Sequence, residues 1–199
     1  MDAQVFWNVI STYNSDTILI QIALLLFLIS AIVLSYLGKV KWLAKLSLGV
    51  VNLFIGTVFF GLYGVEPIQK FFALPLYLCC GGLFLFESIK NKDDTLSKPN
   101  GGQSVLLLLY ALYPFISMLL GNRFPQMVTH IMPCPVISLS IAVYAGYQKK
   151  NRLLLLLLTI WGLTGIKSII FNAYEDIILL ICGIYGVFLI ISERKKMLR

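Results

Sequence analysis

The segment from Gly121 to Pro135 carries the residues of this chain whose types and spacing best suit chemistry. It holds the only histidine, His130, and Cys134 follows four residues later, between Pro133 and Pro135. A histidine and a cysteine can together bind a soft metal ion or form an activated thiolate. One such pair is not a complete metal site, and Pro133 disfavours a helical turn through the residue before it. The sequence therefore leaves two interpretations open, a ligand-contacting site or a rigid helix entry.

Charged residues at the same level of the molecule form a second candidate. Lys167 is the only basic residue deep inside a predicted apolar span. It either extends outward to the headgroup region or faces the other helices, where it needs an acidic partner. Glu66, Glu175 and Asp176 are the nearest candidates. A pair of this kind would be a buried ion pair or a proton-coupled gate.

Further polar residues are predicted to surround these groups at one end of the bundle. Asn14 precedes the first apolar run, and Arg123 precedes the fifth. With the carboxylates named above they form either a polar cap over a cavity or a solvated rim. The adjacent Cys79 and Cys80 resemble the vicinal pair of mercuric-ion transport proteins, which implies handling of thiophilic ions as a weaker alternative.

Long apolar helices must position these residues. Of the 199 residues, 59% are hydrophobic and 13% are charged, whereas a soluble domain has about 25% charged residues. Continuous apolar runs in a lipid solvent favour helices over a barrel. We predict one all-α membrane domain over residues 1–199, with an interfacial helix over 1–16 and seven spans at about 17–37, 43–63, 71–89, 104–120, 135–147, 153–171 and 176–192.

Two of these spans are expected to be irregular. The fifth covers only about 20 Å at 1.5 Å per residue, against about 30 Å of hydrocarbon. A helix that begins deep in the bundle would direct unpaired N–H groups toward Cys134, and its positive end would attract anions and favour a thiolate. The fourth span is expected to break at Pro114.

The distribution of basic residues predicts the orientation. Because basic loops face the cytoplasm, the N-terminus is predicted outside and the C-terminus inside. The net charge of +7 thus reports topology, and no nucleic-acid partner is expected. Thirteen of the sixteen Lys and Arg fall on alternate connections or after the last span: Lys39, Lys41, Lys45, Lys90, Lys92, Lys98, Lys149, Lys150, Arg152, Arg194, Lys195, Lys196 and Arg199.

Scattered motifs resemble an uncharacterised family of small multi-pass bacterial membrane proteins, known only as a domain of unknown function. The resemblance spans nearly the whole chain and implies a protein of the bacterial inner membrane. Two positions depart from the pattern of that family, since Val136 stands where Thr is common and Phe60 stands near a common His. The residues that carry the resemblance are Tyr13-Asn14, Tyr113-Pro114, Gly121, Pro125, Pro133-Cys134-Pro135, Trp161, Gly165 and Asp176.

Three functions remain open from the sequence. The favoured one is a small transporter or ligand-binding protein with a polar outward cavity, in which Cys134 and His130 contact a small molecule or an ion. The alternative is a structural or accessory subunit that binds a second copy or another membrane protein. A membrane thiol enzyme is the weakest, because the chain has no hydrolase signature or phosphate-binding loop. No cofactor is expected.

Overall fold

The computed structural model describes residues 3–170 and 172–197, and this part of the chain contains helices and no β-strand. Residue Phe171, where the sixth predicted span ends, and Arg199 lie outside it. The α-helices are α1 (Ala3–Tyr36), α2 (Leu43–Phe54), α3 (Leu74–Lys90), α4 (Gly101–Leu119), α5 (Pro133–Tyr144), α6 (Arg152–Leu163) and α7 (Ile177–Met197).

Short irregular helices extend four of these elements. Ile55–Leu62 continues α2 as a π-helix, and Gln69–Ala73 leads into α3 as another. Thr164–Ile169 continues α6 as a 3-10 helix, and Tyr174–Asp176 leads into α7. Within the described ranges, five helical stretches are long and apolar enough to cross a membrane: Ala3–Tyr36, Leu43–Leu62, Gln69–Lys90, Gly101–Leu119 and Tyr174–Arg194.

The first helix differs from the prediction. The structure joins the expected interfacial helix and the first span into a single α1 of 34 residues. No proline or glycine interrupts Ala3–Tyr36, so nothing in the sequence stops the helix between the two segments. At 1.5 Å per residue α1 is about 51 Å long, well beyond the thickness of a bilayer core. α1 ends at Tyr36. Gly38 follows two residues later, and its φ of +70° is the left-handed conformation that commonly terminates helices.

The fourth helix also differs, since α4 continues through Pro114 without a break. Helix-breaking residues are tolerated in membrane helices where neighbouring groups compensate the lost hydrogen bond.

Asn100 and Gln103 cap the start of α4. The backbone N–H of each residue donates to the side chain of the other at 2.9 Å. This pair explains why the helix begins at the end of the polar linker.

The short fifth helix is the centre of the bundle. α5 has twelve residues, and every side chain from Pro135 to Tyr144 is buried. It packs against α2, α4, α6 and α7. At about 18 Å it is shorter than a hydrocarbon core of about 30 Å.

Close contacts between glycines bring the surrounding helices together. A Cβ added at Gly162 in α6 would lie 2.6 Å from the Cα of Gly183 in α7. Similarly, a Cβ at Gly81 in α3 would lie 3.0 Å from the carbonyl oxygen of Gly49 in α2. Small residues at such positions let membrane helices pack backbone to backbone.

The connecting segments gather at two opposite ends of the bundle. At one, here named the lysine end (residues 37–42, 91–100 and 145–151), the Tyr147 hydroxyl donates to the Lys41 carbonyl at 3.0 Å. At the other, named the cavity end (residues 3–16, 63–69, 121–135, 164–170 and 172–176), Asn14 donates to the Pro125 carbonyl at 2.8 Å and the Tyr63 hydroxyl to Asp16 at 3.0 Å. Alternate connections thus lie together.

A buried ion cluster fixes the polar linker at the lysine end. The charge pattern assigns Lys45 to a connection, but Lys45 lies in the first turn of α2 and its side chain is fully buried. Its Nζ lies 2.9 Å from Asp94 Oδ2, 3.7 Å from Glu87 Oε2 and 4.2 Å from the centre of the Tyr147 ring. One cation between two carboxylates and an aromatic face explains why an ammonium group is retained in the interior.

We expect Lys45→Met to lower the free energy of unfolding by about 3–5 kcal/mol, because two carboxylates would remain buried without their cation. Chemical unfolding in mild detergent would measure this difference. Lys92→Met is the matched control, since Lys92 is exposed on the same linker. Equal stability of the two variants would contradict a role for the cluster in holding the linker.

Candidate functional site

The segment that leads into α5, named the entry loop (residues 121–132), is tied to α1 by buried amide groups. Asn14 Nδ2 donates to the carbonyls of Pro125 and Met127, both at 2.8 Å. Thr129 Oγ1 donates to Gln21 Oε1 at 2.6 Å, and Gln21 Nε2 donates to Asn14 Oδ1 at 3.1 Å. These bonds satisfy two carbonyls of the loop and hold the loop against α1.

Hydroxyl groups from α1, α3 and α4 hold the second half of the entry loop and its junction with α5. Tyr13 donates to the Ile131 carbonyl and Tyr77 to the Pro133 carbonyl, each at 2.7 Å. Ser117 Oγ accepts from the backbone N–H of Val128 at 3.0 Å. These bonds position the chain from Val128 to Pro133.

The start of α5 carries fewer N–H groups than the sequence analysis supposed. Pro133 and Pro135 have none, and the N–H of Val136 bonds the Met132 carbonyl at 3.0 Å. Only Cys134 is left to present a free donor in this turn. The positive end of α5 is consequently a weaker anion site than its broken entry suggested.

A cavity of about 180 Å³ lies above this turn, among the helix ends of the cavity end. Its walls are mainly aromatic and aliphatic, whereas a polar cavity was expected. Phe60, one of the two positions that depart from the family pattern, is part of the wall. The lining residues are Phe6, Ile10, Phe59, Phe60, Ile68, Gln69, Phe72, Ala73, Val128, Met132, Pro133, Cys134, Pro135, Trp161, Thr164, Lys167, Ser168, Asp176 and Leu179.

Irregular backbone surrounds the cavity. The π-helices Ile55–Leu62 and Gln69–Ala73 and the 3-10 helices Thr164–Ile169 and Tyr174–Asp176 all contribute lining residues. π-Bulges and 3-10 stretches within longer helices often mark functional sites and hinges. Four such segments around one cavity therefore favour it as the functional centre.

Asp176 and Cys134 meet at the base of the cavity. The carboxylate of Asp176 is 9% exposed and accepts a hydrogen bond from the Tyr113 hydroxyl at 3.0 Å. Cys134 lines the same cavity. A carboxylate beside a thiol disfavours the thiolate by like-charge repulsion, so this arrangement does not favour an activated nucleophile.

Lys167 and Glu175 lie near this site but do not form the ion pair that the sequence predicts. Lys167 is exposed and lines the cavity, and among the described residues it forms no ion pair with Glu175 or Asp176. Glu175 is buried outside the cavity lining, where its Oε1 accepts from Ser117 at 2.7 Å and from Asn122 at 3.3 Å. Glu175 thus braces α4 against the start of α7.

His130 is separate from Cys134. Its Nε2 lies 3.3 Å from the Ala111 carbonyl, and its ring centre is 5.1 Å from that of Tyr110 on α4. It is not among the residues that line the cavity. Burial lowers the pKa of His130 below its ordinary value of 6.5, and the hydrogen bond to Ala111 opposes that shift.

The remaining predicted residues lie around the rim and in the loop support. Arg123 is exposed on the entry loop, and Glu66 is half-buried where its backbone N–H donates to Gln69 Oε1 at 3.0 Å. Asn14 is fully buried and acts on the loop and not on the cavity. Within the part of the chain that the structure describes, no group of three or more His, Cys, Asp or Glu side chains could hold a metal ion.

The sequence did not predict the aromatic side chains that line the cavity or most of the side chains that bond the entry loop. Phe60, Phe72 and Trp161 are indistinguishable by type from lipid-facing aromatics, so only the fold reveals them. Gln21 is different, because an amide inside an apolar run is a signal that could have been used.

We expect Asn14→Ala to lower the free energy of unfolding by about 1–3 kcal/mol, since it leaves two buried carbonyls of the entry loop unpaired. Unfolding by a denaturing detergent would measure it. Asn8→Ala is the control, because Asn8 is exposed on the same helix. A similar small effect of both substitutions would argue against Asn14 as the anchor.

His130 should make stability depend on pH. Because its pKa is lowered in the folded protein, the unfolded chain binds the proton more readily once pH falls below about 6.5. Its contribution is therefore full above about pH 6.5 and is lost on acidification below it. Unfolding midpoints from about pH 5 to about pH 8 should fall less steeply on acidification in His130→Gln. Parallel curves for the two proteins would refute this.

Comparison with known proteins identifies a family for the chain but no activity. No curated protein and no solved structure matches it. The model of a family of unknown function, DUF6064, matches residues 3–198. The resemblance to an uncharacterised family is confirmed, and the chain belongs to the family DUF6064.

Proposed function

We propose that the chain crosses the cytoplasmic membrane of a bacterium seven times, with the cavity end outside and the lysine end inside. The two short helices α5 and α6 complete the count beside the five long stretches. The meeting of alternate connections at each end supports antiparallel crossings. The excess of Lys and Arg at one of those ends supports the orientation.

The function we propose is binding of a small molecule in the cavity, as part of its transport across the membrane. The observation that carries this is the convergence of four irregular helical segments and the deep start of α5 on one cavity. Discontinuous helices that meet near a buried site are typical of secondary transporters. They offer backbone that can change conformation without exposing polar groups to lipid.

An accessory subunit without a ligand is the alternative. In that case the cavity is a packing defect, and the exposed surface serves a second copy or another membrane protein. The carboxylate of Asp176 in the same cavity as Cys134 speaks against the third option, a thiol enzyme.

Chemical labelling of Cys134 would test the proposal. The variant keeps this cysteine and replaces Cys79, Cys80 and Cys182. Intact cells receive a membrane-impermeant thiosulfonate, and we expect labelling from outside because Cys134 lines the cavity. Thr12→Cys without the native cysteines is the matched control, since Thr12 is exposed at the same end.

The two outcomes separate the candidate functions. Labelling of both cysteines in intact cells supports an outward cavity and the proposed topology. Labelling of Thr12→Cys alone, with Cys134 protected until the membrane is dissolved, would make Cys134 a packing residue and favour the accessory subunit. Labelling of neither would overturn the orientation.

A further inference from the structure

We infer that the cavity binds a small organic cation, a protonated amine with an apolar body, whose ammonium group lies against Asp176. This inference rests on the proposed function, because it names the chemical class of the molecule that the cavity takes.

The burial of Asp176 carries the first step. The residue is 9% exposed, lines the cavity, and has no cation within 4.0 Å among the described residues. Tyr113 donates to one of its oxygens at 3.0 Å. One neutral donor compensates a buried carboxylate only in part, and full compensation requires an opposite charge. A ligand cation would supply it.

The aromatic walls carry the second step. The Trp161 ring lies 5.5 Å from Phe60 and 6.4 Å from Phe72, measured between ring centres. All three rings line the cavity. Aromatic faces attract ammonium groups through their negative quadrupole and bury an apolar body at the same time. Aromatic side chains beside one carboxylate therefore suit an amine better than a neutral or anionic molecule.

Two positive features of the site do not reverse this preference. Lys167 is exposed, so solvent and salt screen its charge. The start of α5 has lost two of its N–H donors to Pro133 and Pro135, which removes most of what a helix terminus offers an anion.

The cavity of about 180 Å³ suits a small ligand. A single ring with a short amine arm is of the right order.

Three molecules of one shape and different charge provide the test: benzylammonium, benzyl alcohol and benzoate. The protein, in lipid nanodiscs, carries Trp7→Phe and Trp42→Phe so that Trp161 is its only tryptophan. Fluorescence of Trp161 then reports binding in the cavity. We expect benzylammonium to bind about tenfold or more tightly than benzyl alcohol, and benzoate to bind least.

Asp176→Asn should abolish the preference for benzylammonium over benzyl alcohol while both still bind. Asp16→Asn is the control, because it removes an exposed carboxylate from the same end of the molecule. Should Asp176→Asn fail to fold, the order of the three molecules on the parent protein decides the matter.

The outcomes distinguish failure of this inference from failure of the proposed function on which it rests. Equal binding of benzyl alcohol and benzylammonium, or a preference for benzoate, overturns the cation class and leaves a ligand-binding cavity. No binding of any of the three at millimolar concentration counts against both the inference and the proposed cavity function.

Discussion

A central helix of twelve residues imposes a constraint that the rest of this molecule meets. α5 is buried among α2, α4, α6 and α7, so the chain that enters it meets packed helices, and buried backbone polar groups there need protein partners. The entry loop and the first residue of α5 obtain these partners from α1, α3 and α4, through Asn14, Tyr13, Tyr77 and Ser117. The irregular ends of α2, α6 and α7 line the cavity beside them.

The two ends of the bundle differ in how their buried carboxylates are compensated. At the lysine end, Lys45 compensates Glu87 and Asp94 inside the protein. At the cavity end, Asp176 accepts from the Tyr113 hydroxyl and has no such cation within 4.0 Å among the described residues. This contrast is the basis of the proposal of a cationic ligand.

Composition and periodicity were sufficient to predict the helical class, the positions of most helices and the unusual fifth helix, because apolar runs and prolines act locally. They could not show that Lys45 is buried, since its partners Glu87 and Asp94 are more than forty residues away. The separation of His130 from Cys134 and the aromatic wall with Trp161 depend likewise on tertiary packing. Local signals fixed where helices begin, and long-range contacts determined what each side chain meets.

The polar groups of α1 have a consequence for biogenesis. Asn14 and Gln21 are synthesised with the first helix, but the entry loop that they bond is synthesised more than a hundred residues later. Until then Thr17 can bond the Tyr13 carbonyl and Gln21 can bond Thr17, both within the helix. We therefore expect a provisional hydrogen-bond arrangement in α1 of the nascent protein, which the entry loop completes late in assembly.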